Sequence, residues 1–113
     1  MVDDELSGHL QELRRGTVVV ACLAALRTAH YGYGLIEDLA AAGMVVGGDT
    51  LYPLLRRLER QGVLTSEWNT DEARPRKFYR TTADGRAVLD ALLAEWRSLD
   101  TAIEVIARGG VER

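Results

Sequence analysis

The chain has 113 residues, of which 47% are hydrophobic and 27% are charged, and its formal net charge is −3. This length suits one small domain, and this composition excludes a disordered chain. The longest apolar run falls well short of a membrane span, the acidic start does not resemble a signal peptide, and the single cysteine, Cys22, leaves no disulfide framework. We therefore expect a globular cytoplasmic protein with no membrane partner.

The first predicted elements are helices. Residues 4–15 place leucines at helical spacing, with acidic residues early and arginines late. Gly16 allows a bend, and Thr17 can cap a second helix that runs through Ala29. This second helix is almost entirely apolar, so we expect it to form the centre of the core, with Cys22 as a buried thiol.

Two further helices follow a glycine-containing turn. Tyr31–Gly34 predicts the turn, and residues 35–42 predict the third helix. Asp49 or Thr50 is expected to cap the fourth helix, which Gly62 ends, and Pro53 is expected in its first turn.

The fourth helix is amphipathic. Its apolar stripe consists of Leu51, Leu54, Leu55 and Leu58. Its other side carries Pro53, Arg56, Arg57 and Arg60. A helix that packs by leucines and presents arginines outward has the chemistry of a helix that binds in the major groove of DNA.

A β-hairpin and a long helix complete the chain. Residues 63–69 and 76–81 are rich in β-forming residues and flank a polar loop. Thr82 is expected to cap a helix that extends to about Ala107, with apolar residues at helical spacing throughout. That helix would be about 37 Å long. This is too long for so small a core to cover, and the simplest partner is the same helix of a second copy.

This order of elements predicts a mainly α fold with a small β-hairpin: a winged helix-turn-helix plus a long C-terminal dimerisation helix. We assign residues 1–81 to the N-terminal helix and the DNA-binding domain, and residues 82–108 to the dimerisation helix, the two forming one compact unit. Residues 109–113 are expected to be a flexible tail. Residues 49–86 carry eight basic and six acidic side chains, a local net charge of +2. Charge alone would also fit an ordinary solvated surface.

The sequence resembles the PadR family of bacterial transcriptional regulators, in its small subgroup with a single C-terminal helix. The matching segments are ELRRGT at Glu12–Thr17, YGYGL at Tyr31–Leu35, DTLYPLLRRLERQGVL at Asp49–Leu64, SEW at Ser66–Trp68, RPRKFYRTTADGR at Arg74–Arg86 and AEW at Ala94–Trp96. The resemblance implies a homodimeric repressor that binds inverted-repeat operators. Thr81 departs from the usual leucine, for which we expect a small packing cost, and Phe78 departs from the usual tyrosine.

The expected DNA contacts lie on three elements. The fourth helix would read bases with Thr50, Tyr52, Pro53 and Arg56, while Arg57 and Arg60 would touch the backbone at most. The hairpin would reach phosphates or the minor groove with Arg74, Arg76 and Lys77, partly offset by Glu67, Asp71 and Glu72. By its family position Tyr33 would bind a phosphate, although a packing role for Tyr33 and a solvated role for the arginines stay open.

The long helix carries the expected dimer interface. Its members are Leu89, Leu92, Leu93, Trp96, Leu99, Ile103 and Ile106. Trp96 either packs in that interface or, as the resemblance to drug-sensing members implies, stacks a planar aromatic effector together with Leu92 and Leu93. Such an effector would release the repressor from DNA.

Enzymatic functions find little support in the sequence. His9, His30 and Cys22 have no metal-ligand spacing, and phosphate-loop, dinucleotide-binding and nucleophile-elbow motifs are missing. We expect neither a catalytic residue nor a cofactor. Two alternatives stay open: a multidrug-type ligand sensor whose main site is the dimer interface, and a winged-helix module that docks proteins.

Overall fold

A computed structural model describes residues 3–71 and 73–110. Its elements, in chain order, are α1 (Asp3–Ala25), β1 (His30–Tyr31), α2 (Gly32–Ala41), α3 (Gly48–Arg60), β2 (Leu64–Asn69), β3 (Arg76–Thr81) and α4 (Ala83–Ala107). The predicted fold class, mainly α with a small β-hairpin, is confirmed. In these described ranges, every helix is too short or too polar to cross a membrane.

Helix α1 is continuous, so the prediction of two helices with a bend at Gly16 is wrong. A Cβ atom added to Gly16 would meet no atom within 4 Å, which means that no close approach requires a glycine there. The Thr17 hydroxyl donates to the carbonyl oxygen of Arg14 at 2.7 Å, within the helix, instead of capping a new one. The helix also ends at Ala25, before the predicted Ala29.

The core lies between the second half of α1, the helices α2 and α3, and the first turns of α4. Its largest fully buried side chains include Leu23, Leu35, Leu51 and Leu55. Cys22 is buried among them as predicted, and burial raises the pKa of its thiol to about 12. The thiol is therefore neutral over the physiological pH range.

The predicted hairpin is confirmed, but it is part of a three-stranded antiparallel sheet with the order β1-β3-β2. The short strand β1 was not predicted. It pairs Tyr31 with Phe78 of β3, and their rings meet edge to face with centroids 5.7 Å apart. This contact fixes the base of the wing, formed by β2 and β3, to the start of α2.

The junction between the wing and α4 is held by two threonines. Thr81 is buried, and its hydroxyl donates to the carbonyl oxygen of Leu23 at 2.8 Å. A leucine could not make this bond. Thr81 therefore gives a hydrogen bond to α1 that offsets the expected packing cost. The predicted cap at Thr82 is confirmed, because its Oγ1 accepts from the Gly85 N–H at 3.0 Å. Gly85 must be glycine, since a Cβ atom there would lie 2.1 Å from the carbonyl oxygen of Val63.

Helix α4 ends at Ala107 as predicted, and Gly109 follows with a positive φ of 69°. The last part of the predicted tail, residues 111–113, lies outside the described residues.

Candidate nucleic-acid interface

Helix α3 presents three sides besides its buried stripe. Successive residues are offset by about 100° around a helix. The outward side, opposite the buried Leu51, Leu55 and Leu58, therefore carries Asp49, Pro53, Arg56 and Arg60. The side next to the sheet, which we call the wing flank, carries Tyr52 and Glu59. The side next to α1, which we call the α1 flank, carries Thr50, Leu54 and Arg57.

Helix α3 begins earlier than predicted, and its cap is not a side chain. Gly47 is the N-cap residue, and its carbonyl oxygen accepts from the backbone N–H groups of Thr50 and Leu51 at 3.1 and 2.9 Å. Asp49 lies inside the helix and accepts from Thr50 N–H at 3.1 Å. The prediction of a cap at Asp49 or Thr50 is therefore wrong, and Pro53 lies beyond the first turn.

Two glycines hold the Tyr52 ring on the wing flank. A Cβ atom on Gly32 would lie 2.3 Å from Tyr52 Cε1, and one on Gly48 would lie 3.1 Å from Cε2. The ring therefore fills the space between the first residues of α2 and α3. A side chain at Gly32 or Gly48 would occupy that space instead. The first glycine of the YGYG segment serves this contact, and α2 begins there instead of at Leu35.

The wing flank contains a cleft of about 540 Å³. It brings together five of the predicted site residues, Tyr33, Tyr52, Arg74, Arg76 and Lys77. Tyr33 is 61% exposed, which argues against a packing role.

The same cleft contains Trp68, which was not predicted from the sequence as a site residue. Its side chain is 65% exposed, and it pairs with Lys77 across the two wing strands, so both side chains lie on one face of the sheet. A signal was available in the sequence, because alternation along β2 places Trp68 on the same face as Ser66. That face turns towards α3.

Lys77 and Arg76, which line the cleft on the wing flank, make contacts with other residues of the protein. Lys77 Nζ lies 3.4 Å from Glu59 Oε1 and 5.4 Å from the centroid of the Tyr79 ring. Arg76 places its guanidinium 4.7 Å from the centroid of the Tyr31 ring. The hydroxyl of Ser66 also donates to Glu59 Oε2. Glu59 therefore connects α3 to both strands of the wing.

The acidic residues expected to offset the wing lie partly on its other face. Glu67 pairs with Phe78 across the strands and is exposed, and Asp71 is exposed in the loop. Glu72, the third of these residues, lies outside the described residues.

The α1 flank contains a second cleft, of about 690 Å³, between α3, the loop that precedes it and the middle of α1. Three predicted site residues, Thr50, Pro53 and Arg57, line it. The structure therefore divides the predicted DNA contacts between two clefts, with Arg56 exposed on the outward side between them.

The long helix leaves its apolar stripe uncovered beyond its first turns. Leu92 and Leu93 are half-buried against the core, whereas Trp96 is 51% exposed. Leu99, Ile103 and Ile106 are exposed as well. Leu89 differs from the other residues of the predicted interface: it is 2% exposed and belongs to the core of its own chain, so it has almost no surface to bury against a partner.

Comparison with known proteins gives a consistent result. Residues 22–91 match the transcriptional regulator PadR-like family. The chain is 40% identical over 82 residues to the transcriptional regulator Rv3488 of Mycobacterium tuberculosis, which covers 71% of this chain and 76% of that protein. The crystal structure of a PadR family transcriptional regulator from Eggerthella lenta is similar, with 46% identity and a TM-score of 0.88, over 93% of this chain and 94% of that one. A transcriptional regulator from Clostridium thermocellum is similar at 27% identity and a TM-score of 0.76, over 82% and 95%. The chain therefore belongs to the PadR-like family of transcriptional regulators.

Proposed function

We propose that this regulator is a homodimeric repressor that binds an inverted-repeat operator and inserts α3 into the major groove of each half-site. The observation that carries this proposal is the outward side of α3, where the exposed Arg56 stands between two clefts that contain basic residues. Two copies related by a two-fold axis would place their helices about one helical turn of DNA apart.

Each side of α3 has a different task in this proposal. Arg56 would donate two hydrogen bonds to a guanine edge, which contributes about 1–3 kcal/mol of discrimination between bases. Pro53 and the methyl group of Thr50 would contact thymine methyl groups. Tyr52 and Tyr33 would donate to phosphates from the wing flank, where Arg74 would also reach the backbone.

The experiment that tests the proposal is a selection of genomic DNA fragments bound by the purified protein. An enriched inverted repeat with half-sites about 10 base pairs apart, centre to centre, is the expected result. A protein-docking module would enrich no sequence, and its interaction with DNA would lack the steep salt dependence of phosphate binding.

We assign the dimer contact to α4. The exposed residues Trp96, Leu99, Ile103 and Ile106 form an apolar stripe that needs a partner, and a second copy offers a self-complementary one. The exposed leucines of α1, Leu6, Leu10 and Leu13, add a second apolar stripe.

The dimer is tested by the substitution Ile103→Glu, which would place a charge in the centre of this contact. We expect the molar mass from light scattering to fall from that of a dimer to that of a monomer. Ala94→Glu, which introduces the same charge on the opposite, exposed side of the same helix, is the matched control and should leave the mass unchanged. A monomeric wild-type protein would contradict the assignment.

A second candidate function is the binding of a planar aromatic effector at Trp96. The observation in its favour is that the indole is half-exposed beside Leu92 and Leu93, which gives a flat apolar wall. The chain has two tryptophans, so the substitution Trp68→Phe leaves Trp96 as the single tryptophan fluorophore. Quenching of this variant by planar dyes is expected if an effector binds there, and unchanged fluorescence across a broad panel would indicate simple packing.

A further inference from the structure

Among the residues that the structure describes, the charged residues that line the cleft on the α1 flank are all arginines. They are Arg14 and Arg15 of α1, and Arg57 and Arg60 of α3. Arg15 pairs with Glu12 at 2.9 Å, but both side chains are exposed and Glu12 does not line the cleft. An exposed ion pair of this kind contributes little free energy, so Arg15 can leave Glu12 for another anion. Across the described residues, the guanidinium groups of Arg14, Arg57 and Arg60 have no acidic partner within 4.0 Å.

The cleft is continuous with the surface proposed to meet DNA. Thr50 and Pro53 belong to the first two turns of α3, and both line the cleft together with Arg57 and residues of α1. A DNA duplex bound along the outward side of α3 would therefore lie next to Arg14 and Arg15.

Arg15 of α1 lies on a different side of that helix from its exposed leucines, and Arg14 lies at the boundary between the two sides. Gln11, Arg14, Arg15 and Val18 follow a spacing of three and four residues and line the cleft. Leu6, Leu10 and Leu13 follow the same spacing along another side. Dimer contacts through the leucines would thus leave Arg15 accessible and would place Arg14 at the edge of those contacts.

We infer that the α1 flank is a second DNA-binding surface, through which Arg14 and Arg15 hold phosphates of the backbone beside the half-site that α3 occupies. This inference rests on the proposed function. Phosphates are the expected ligands because an α-helix with its side chains, about 10–12 Å wide, fills a major groove about 12 Å wide. Residues of a neighbouring helix then reach the backbone at the edge of the groove and not the base edges.

Phosphate contacts have a distinct experimental signature. They contribute equally to operator and non-operator DNA, and each one adds about −0.9 to the slope of log K against log salt concentration. The variant Arg14→Ala/Arg15→Ala should therefore weaken binding to both DNAs by the same factor. It should also make the salt slope less steep by about 0.9 for each phosphate that the arginines no longer neutralise.

The experiment measures operator and scrambled DNA at several KCl concentrations for the wild-type protein and this variant. Arg97→Ala, which removes an exposed arginine of α4, is the matched control and should leave both affinities and the slope unchanged. Light scattering on the same samples checks the oligomeric state.

Three outcomes would overturn the inference. An unchanged salt slope in the α1 variant, with normal operator binding by the wild-type protein, overturns this inference alone. A variant that changes oligomeric state indicates that a second copy occupies the cleft. Equal affinity of the wild-type protein for operator and scrambled DNA would contradict the proposed function, and with it this inference.

Discussion

The two flanks of α3 carry positive charge in different ways. On the wing flank, Lys77 lies against Glu59 and Tyr79, and Arg76 lies over the ring of Tyr31. On the α1 flank, the cleft has no acidic lining residue, and the guanidinium of Arg57 has no acidic partner in the described part of the chain. Lys77 and Arg76 are therefore held by contacts within the fold, whereas Arg14, Arg57 and Arg60 of the other flank are available to a ligand.

This difference limits what segment charges can predict. Residues 49–86 have a net charge of +2, which directed attention to the fourth helix and the hairpin. Residues 1–15 have a net charge of −2, which does not predict a role in DNA binding for their arginines. Folding brings Arg14 and Arg15 next to α3 and leaves the acidic residues at the start of α1 outside the cleft.

The largest expected effect comes from Arg56, which lies between the flanks. Arg56→Ala should weaken operator binding by about 1–3 kcal/mol, or roughly 5- to 150-fold, because it removes a bidentate hydrogen bond to a base edge. Its effect on scrambled DNA should be much smaller. Fluorescence anisotropy with labelled operator and scrambled duplexes measures both values.

Arg56→Lys is the matched variant for this prediction. It keeps the charge but lacks the planar fork of two donors, so it should bind scrambled DNA normally and the operator weakly. Equal reductions in affinity for both DNAs would mean that Arg56 binds phosphate, and that the outward side does not differ from the flanks.

The next effect concerns the wing flank, where Tyr52 depends on a glycine. Gly32→Ala would place a Cβ atom 2.3 Å from Tyr52 Cε1, so the ring or α2 must move. We expect the free energy of unfolding to fall by about 1–3 kcal/mol, as in other overpacked sites. Urea denaturation followed by circular dichroism measures the change.

Gly16→Ala provides the control for that prediction. Gly16 is helical and exposed, and a Cβ atom there meets no atom within 4 Å. The substitution should therefore stabilise the protein by about 0.5–1 kcal/mol through better helix propensity. An unchanged free energy of unfolding for Gly32→Ala would contradict the close contact between Gly32 and the Tyr52 ring.

Much of the fold could be predicted because its signals are local. The leucine stripe of α3, the threonine cap of α4 and the β-forming segments of the hairpin each depend on a few neighbouring residues. The errors arose where a local signal had no structural role. Gly16 permits a bend, but α1 is continuous through it. Asp49 is a residue type that often caps helices, but the Gly47 carbonyl oxygen accepts from backbone N–H groups in the first turn of α3.

The site was less predictable than the fold, since its properties depend on residues distant in sequence. The sequence identified Tyr52 and Lys77, but the glycine that holds Tyr52 comes from α2, and the carboxylate that pairs with Lys77 comes from α3. Trp68 was missed although alternation along β2 places it on one face with Ser66, because the exposure of that face beside α3 depends on how the wing packs.

The smallest effect is a change in salt dependence on removing the Glu59 charge. The side chains of Lys77 and Glu59 are each about one-third exposed, at 32% and 33%, and Ser66 also holds the carboxylate. Glu59→Gln keeps an oxygen that can accept from Ser66 but frees the lysine charge. Lys77 could then bind a phosphate, and the salt slope of operator binding should steepen by about 0.9.

The double-mutant comparison decides whether the two flanks really differ. Lys77→Met in the wild-type background should leave the slope unchanged, because Glu59 already engages that charge, and Glu59→Gln/Lys77→Met should return to the wild-type slope. A shallower slope for Lys77→Met alone would show that Lys77 binds phosphate despite its partner. The wing flank would then contribute to DNA binding as directly as the α1 flank, and an internal ion pair would not be enough to withdraw a cation from the interface.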